Sequence, residues 1–380
     1  MTTKLFIDVH VLQDLPPSNI NRDQSGSPKT AVYGGVQRLR VSSQAWKRAT
    51  RLAFGSDLPE QERGIRTRRL EQLLRQELAA RGVDDAVGAE IVAAVLKTLG
   101  IKAGKKAELL SYLLFCGKAQ LTEVAERMAA LAPRWVEFSA KEREDAAAAV
   151  GFRDVLSTGH SLDVALFGRM VADLAQLNVD AATQVAHAIS THAAPSQFDY
   201  FTAMDDVPGV DEEGDGDLGA GMIGTVEFNS GTIYRFATIA FDQLVENLAD
   251  PLAAIAGVER FLEAFALSMP TGHQNSFAAR TRPALIAVIV RDDQPVNLVS
   301  AFERPITSRE GMMAPSQLAL AKTAHEEARR WGDKPVLVAA SYAAADDKAG
   351  AALQEAFGES LALTDVVDRV AGVLQERATS

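Results

Sequence analysis

A single cysteine, Cys116, stands in 380 residues. No disulfide can form within the chain, and the thiol is expected to be a small core residue of a protein kept in the reducing cytoplasm. No apolar run approaches the roughly 18 residues that mark a membrane-spanning helix, and Met1-Thr-Thr-Lys leads directly into alternating residues rather than into a secretion signal. A cytoplasmic protein without a membrane partner is expected. P-loop, G-x-S-x-G, H-E-x-x-H and Cys/His-cluster patterns are all missing, so the commoner nucleotide-hydrolysing, serine-hydrolase and zinc chemistries lose their signatures. His187 and His192 are five apart, off the i, i+4 spacing of a helical metal pair. Both read as structural, and no metal or cofactor is expected.

Basic residues are absent from one stretch in particular. Residues 196 to 231 hold nine acids and no Lys or Arg, and removing them changes the formal charge from -11 to -2. The charge is polarised along the chain, so the acidic total does not exclude a basic groove elsewhere. Two motifs inside this stretch fail on physical grounds. Gly214-Asp-Gly-Asp-Leu-Gly219 fits G-x-G-x-x-G, but it follows no strand and its carboxylates would repel a pyrophosphate. Asp211-Glu-Glu-Gly-Asp-Gly216 begins like a calcium loop, yet Met222 stands where a bidentate Glu is required. A long hairpin with a Gly-Asp tip is the better reading, with Tyr200 to Met204 on one arm and Ile223 to Phe228 on the other.

What the chain does have is a basic segment near its start. From Arg22 to Arg51 there are seven cations (Arg22, Lys29, Arg38, Arg40, Lys47, Arg48, Arg51) against one acid, Asp23. Such a local field suits a polyanion. Its first part, around Asn21 and Gly34-Gly35, reads as an ordered irregular loop whose backbone N–H groups can approach a ligand. Its second part reads as a helix capped by Ser42 or Ser43, with Trp46, Ala49, Leu52 and Ala53 as the buried stripe. Lys47 and Arg51 share the other face, with Gln44 and Arg48 beside them. A helix N-terminus, a Ser-Ser-Gln turn and a row of cations make a phosphate cradle; a solvated helix face is the plainer alternative.

The remainder alternates between two textures. Leu5 to Leu12 alternates as a strand, with Asp8 and His10 on one face expected to form a polar patch on a partly open sheet. Residues 56 to 150 are Ala- and Leu-rich, with helices expected at about 59–80, 84–99, 104–116, 119–131 and 139–149; the Arg66, Arg68, Arg69 cluster reads as a solvated face. A strand is expected over Val155 to Met170, closed by Gly168-Arg169-Met170, where Gly permits close approach, Arg can clamp a phosphate and Met can lie against a base. Thr232 to Phe241 and Ala284 to Val290 read as strands. Asp250-Pro251 opens a helix, and the loop between it and the second strand, with His273 and Arg280, is a second polyanion-contacting element. Helices at about 314–331 and 361–377 flank a strand at Pro335 to Ser341. With the insertions removed, this is the ferredoxin-like order of an RRM-type α+β domain, without the aromatic signature of ordinary RRMs.

The ordered pieces Asn19-Ile-Asn-Arg-Asp23, Ser27-Pro-Lys-Thr-Ala-Val-Tyr-Gly-Gly35, Gln37 to Arg51, Leu166-Phe-Gly-Arg-Met170, Ala186 to His192, Tyr200 to Asp206 and Gly224 to Arg235 resemble the CasC family, the repeated backbone subunit of the type I-E CRISPR Cascade complex. The resemblance runs from about residue 5 to about 305 and is loose beyond. It implies a RAMP-type palm built from residues 1–55, 151–198 and 231–380, helical fingers at 56–150 and a thumb hairpin at 199–230 that folds over RNA on the neighbouring subunit. Tyr200, Phe201, Thr202 and Met204 would then touch unstacked nucleotides. Implied partners are a CRISPR guide RNA (crRNA), target DNA paired with the guide, further copies of the chain in a head-to-tail filament, the other Cascade subunits and a recruited helicase-nuclease. The implied role is a non-catalytic RNA-binding scaffold in antiviral defence, with the base edges left free for pairing. Two other readings remain open: a metal-dependent ribonuclease using Asp23 or Asp206, and a general single-stranded RNA-binding protein.

Overall fold

The computed structural model describes residues 4–100, 110, 113–172, 174–204 and 220–379. The chain begins with a long strand, β1 (Phe6–Ser18), then a hairpin of β2 (Thr30–Tyr33) and β3 (Val36–Val41), then helix α1 (Ser43–Ser56). A mostly helical region follows: β4 (Gly64–Thr67), α2 (Leu70–Ala80), α3 (Asp85–Leu99), β5 (Leu114–Gly117), α4 (Lys118–Ala129), α5 (Ala140–Ala149), α6 (Phe152–Ser157) and α7 (Leu162–Phe167). Strand character returns in β6 (Thr183–Val185), β7 (Ala188–Ser190), β8 (Gln197–Met204) and β9 (Ala220–Ala240), followed by α8 (Phe241–Leu248), α9 (Pro251–Leu267) and the single turn α10 (Gln274–Phe277). Finally come β10 (Leu285–Arg291), α11 (Met313–Trp331), β11 (Leu337–Tyr342), α12 (Asp347–Phe357) and α13 (Leu363–Thr379). This is an α+β protein.

One antiparallel sheet runs β11-β10-β1-β9-β7-β3-β2, with β6 and β8 also paired to β9. Alternation along β1 divides its neighbours into two layers. Leu5, Ile7, Val9 and Val11 pack with Phe261 and Phe265 of α9 and Val366 and Val370 of α13. Leu12 on the other face joins Tyr234, Phe302, Leu320 of α11 and Leu353 of α12. A separate core, from Leu70 and Leu74 through Val124 and Trp135 to Val171 and Leu177, holds the helical region together. Cys116 is buried in it, and burial pushes its thiol up to about 12, so it acts as an inert apolar residue.

Several local expectations change in three dimensions. The stretch around Gly34-Gly35 is a tight hairpin, not an irregular loop: both glycines have positive φ (59° and 76°), as a two-residue primed turn demands. The strand expected over Val155 to Met170 does not form: α6 runs to Ser157 and α7 covers Leu162–Phe167. The hydrophobic alternation at Leu162, Val164 and Leu166 does not carry over into burial: Asp163, Val164, Ala165 and Leu166 are all buried, as in a short packed helix. Most of the helix expected at 104–116 lies outside the described residues, and its end is instead β5, paired with β4. Helix α12 is a further element beyond those expected from the sequence; Asp346 caps it by accepting from Ala349 N. The Gly214 to Gly219 and Asp211 to Gly216 motifs also lie outside the described residues.

The Asp8/His10 face of β1 is closed, not open, because the 296–302 segment and α11 cover it. Both side chains are wholly buried: Val296 N donates to Asp8, Arg291 Nε stands 3.3 Å from it, and His10 Nδ1 meets the Tyr234 hydroxyl at 2.8 Å. Burial raises Asp8 to about 6, overriding the hydrogen bonds from Val296 and Thr238 and the charge of Arg291, and lowers His10 to about 3, with Arg291 adding to it. Folded Asp8 keeps a proton that unfolded Asp loses above its ordinary 3.8, so this group's contribution falls as pH rises toward 6. Folded His10 refuses a proton that unfolded His takes up below 6.5, so its contribution falls as pH drops toward 3. Each slope is at most about 1.4 kcal/mol per pH unit, and the two cancel between about pH 4 and 6. His10→Asn removes one of them. The variant, compared with wild type by denaturant unfolding at pH 6, 5 and 4, should gain relative stability as the pH falls. Parallel profiles would mean that His10 is not held neutral.

Candidate nucleic-acid interface

Helix α1 owes its position to one buried cation. Arg235, on β9 and only 1% exposed, lies with its guanidinium 3.7 Å from the Trp46 ring centroid and 4.4 Å from that of Phe265. Its Nη1 donates to Gln13 Oε1 at 2.6 Å and its Nη2 to the Phe265 carbonyl. The buried face of α1 is therefore Trp46, Thr50 and Phe54 at i, i+4, i+8; Leu52 belongs to the exposed side. Ser42 is the N-cap, accepting from Ala45 N, and its own N–H donates to Asn21 Oδ1 at 2.8 Å. Asn21 thus ties the preceding loop to the start of the helix. Ser43 and Gln44 occupy its first turn at the surface.

The outward face of α1 meets the β4–β5 hairpin. Arg51 of α1 and Arg66 of β4 both place their guanidinium over the Phe115 ring, 5.1 and 4.7 Å from its centroid. Burial, then the charge of Arg66, lowers the Lys47 ammonium below its ordinary value. Arg51 is lowered by burial, and the charges of Arg66 and Arg48 oppose the one helpful neighbour, Asp163. Arg51 Nη1 is buried with no hydrogen-bond partner. Among the described residues, none of Lys47, Arg48, Arg51 and Arg66 forms an ion pair with a carboxylate. Asp163 itself is engaged, accepting from Ser161 Oγ (2.7 Å) and Val164 N (3.1 Å), and burial raises its carboxyl. Four like charges so arranged present an unneutralised field for an incoming anion. Arg66 reads in sequence as part of a solvated face; only the pairing of β4 with β5, which sets it opposite Phe115, brings it to α1.

The other sequence-selected residues separate into three groups. Arg38 and Arg169 are buried and spent on carbonyls. Arg38 donates to Tyr33, Ser190 and Phe302, and Arg169 to Leu177 and Leu156, so both tie segments together and face no open surface. Gly168, at φ 73°, turns Arg169 inward while Met170 is left 82% exposed. Lys29 and Arg40 lie beside His187 on the hairpin side, where Arg40 Nη1 meets His187 Nδ1 at 3.2 Å; burial, then Arg40 and Lys29, lowers this imidazole. Arg22 Nη1 meets His273 Nε2 at 3.0 Å, and Arg280 is exposed nearby on the same loop. Asp23 makes no described ion pair. Its Oδ1 accepts from Ser25 N, Ser25 Oγ and Ser27 N, which lowers its carboxyl and builds the turn.

The β8–β9 hairpin carries exposed aromatic surface. Phe198 and Tyr200, two residues apart, are 67% and 64% exposed on one face, with Thr202 exposed further along. Phe201 on the opposite face lies across Gly224, where a Cβ would come within 2.5 Å of its ring. Phe198 was legible from the alternation, though it precedes the segment selected in sequence. Met204 lies at the end of β8 with its side chain outside the described residues, as does Asp206. No helix among the described residues is long and apolar enough to cross a membrane, and no cluster of three potential metal ligands occurs among them.

The fold and the site define an α+β protein with one strongly cationic helix and hairpin and a separate aromatic hairpin. The chain belongs to the CT1975-like protein family, whose model matches residues 7–369 and which is the CasC-like family that the ordered motifs resemble. It is similar to a solved chain of a "CRISPR RNA-guided surveillance complex, pre-nicking", with 32% identity, TM-score 0.82, and 97% of this chain and 100% of that one covered. A chain of a "CRISPR RNA-guided surveillance complex" matches at 27% identity and TM-score 0.74, covering 97% and 99%. A search of curated proteins returns no match.

Proposed function

We propose that this chain is a guide-RNA-binding scaffold subunit of a type I-E Cascade surveillance complex, in which copies line up along one RNA. The observation that carries this reading is the cluster of Lys47, Arg48, Arg51 and Arg66, packed at the α1–hairpin junction without a paired carboxylate. Full-length similarity to chains of CRISPR RNA-guided complexes supports it. The order β10-β1-β9-β7, with α1 and α9 on one face, supports a ferredoxin-like RAMP palm. The separate helical core corresponds to the fingers and the β8–β9 hairpin to the thumb, whose Phe198 and Tyr200 would lie against nucleotides bound to a neighbouring copy. The role is non-catalytic and cytoplasmic; Asp23 orders its own turn through Ser25 and Ser27. The other complex subunits and a recruited helicase-nuclease complete the system, which presents the guide to target DNA.

The test is to express the chain with the other subunits of the complex and a guide array, purify the assembly, and size both the particle and its RNA. A large particle carrying RNA of one discrete length, intact after incubation with magnesium, is the expected result. Loss of added complementary RNA that stops in Asp23→Ala would favour the ribonuclease reading, and a small particle without RNA would leave neither standing.

A further inference from the structure

The β4–β5 hairpin, which carries Arg66 and Phe115, pairs with no strand of the large sheet. Its position beside α1 therefore has to come from side chains. At the base of the hairpin two glycines face each other, Gly64 and Gly117. Both lie against the turn that opens α7. A Cβ on Gly117 would rest 3.5 Å from Ser161 Cβ, and one on Gly64 would stand 2.7 Å from Asp163 Oδ2 and closer still to Oδ1. Neither glycine has a positive φ, so backbone conformation does not demand them. What demands glycine at position 64 is the Asp163 carboxylate, which occupies the space a side chain would take.

Asp163 is 4% exposed and held from several sides. Ser161 Oγ and Val164 N donate to it; burial, which raises its carboxyl, is opposed by these bonds, by the charge of Arg51 and by the N–H of Gly64. Alternation carries the effect of this seat along the hairpin. Arg66 shares a face of β4 with Gly64, and Phe115 shares a face of β5 with Gly117, so the seat lies beside the ring over which Arg51 and Arg66 are both placed. Arg63, just before β4, donates to the Leu58 and Ser56 carbonyls and ties the start of the hairpin to the end of α1. We propose that Asp163 is a positioning residue for RNA binding: by seating Gly64 it fixes Arg66 and Phe115 at the distance from α1 that lets the cations hold successive phosphates. The proposal rests on the RNA-binding reading above. It adds a buried acid that helps through geometry, against the repulsion its own charge exerts on a polyanion.

Binding of single-stranded RNA to the full chain would be measured by fluorescence anisotropy across a salt series, with thermal unfolding as the control for folding. Asp163→Ala and Gly64→Ala should each weaken binding several-fold with an unchanged salt slope, because every cation is kept and only its placement is lost. Asp163→Asn retains an oxygen for Ser161 and Val164 and should bind close to wild type. When Gly64→Ala and Asp163→Ala are combined, the new methyl enters the space the carboxylate leaves, so binding should recover above that of Gly64→Ala alone. Wild-type affinity in folded Asp163→Ala would make the carboxylate an opposing charge or a purely structural group. Asp163→Asn as weak as Asp163→Ala would move the effect to the charge on Arg51. Either result overturns the proposal, as does a double variant no better than Gly64→Ala. Should Asp163→Ala fail to fold, Gly64→Ala decides, and unchanged affinity there overturns the proposal equally. A wild-type chain that binds no RNA overturns the RNA-binding reading itself.

Discussion

Replacing Lys47, Arg51 and Arg66 together by Gln is expected to weaken single-stranded RNA binding roughly fiftyfold at 0.15 M salt and to lower the slope of log K against log salt by about 2. The figure follows from three phosphate contacts, each releasing about 0.7 of a counterion from a single strand. Loss should be uniform across RNA sequences, since phosphates carry no base identity. A second readout separates this role from a structural one. In the free protein, Arg66 opposes the charges of both Lys47 and Arg51, and burial penalises both groups. Removing the three should therefore leave the RNA-free protein at least as stable, with an unchanged or higher thermal midpoint. Binding sites commonly hold such destabilising charge. A triple variant that melts lower and binds RNA with an unchanged salt slope would make the cluster a structural device and place the polyanion path elsewhere. Phe115→Leu tests the support: without the ring under both guanidiniums, affinity should fall several-fold while the salt slope stays near wild type.

The part of this arrangement legible in sequence is the part built from near neighbours. Ser42 before an amphipathic run, and Lys47 and Arg51 at i, i+4, depend only on helix geometry, and α1 forms where those signals fall. The same holds for Asp250-Pro251 at the start of α9. What stayed hidden depends on contacts distant in the chain. Arg38 and Arg40 are two apart on one strand, yet Arg38 turns inward to carbonyls of residues 190 and 302 while Arg40 stays at the surface. Alternation puts both on the same face of β3; what separates them is that the 298–302 segment covers that face at Arg38 and not at Arg40. Arg66 shows the reverse case: an exposed cation in a helical-looking stretch acquires a role only because β4 pairs with β5 across some fifty residues. The α6–α7 region differs from its sequence pattern because a buried short helix and a buried short strand carry the same apolar run.

The largest effect on stability is expected at Arg235. Arg235→Ala should lower the unfolding free energy by about 3–5 kcal/mol, the range for emptying a large buried side chain. Two losses combine. Removing the guanidinium opens a cavity between Trp46 and Phe265, and Gln13 Oε1 and the Phe265 carbonyl lose a donor in a dry interior. The charge itself is a poor contributor, because complete burial depresses this arginine to about 9. An apolar chain of similar length should therefore recover most of the loss, as replacement of buried ions by hydrophobic residues often does. Arg235→Met is expected to cost no more than about 1.5 kcal/mol, although the Trp46 ring then rests on a thioether instead of a cation. Denaturant unfolding of the three proteins decides this, with equal losses in the Ala and Met variants meaning that charge and hydrogen bonds, not volume, hold the sandwich together. RNA binding supplies the link to function. Trp46 sets the rotation of α1 and hence the direction of Lys47 and Arg51 on its opposite face. The Met variant, folded but with that ring less firmly seated, should bind RNA several-fold more weakly than wild type with the same salt slope, since every cation is still present and only its placement has loosened.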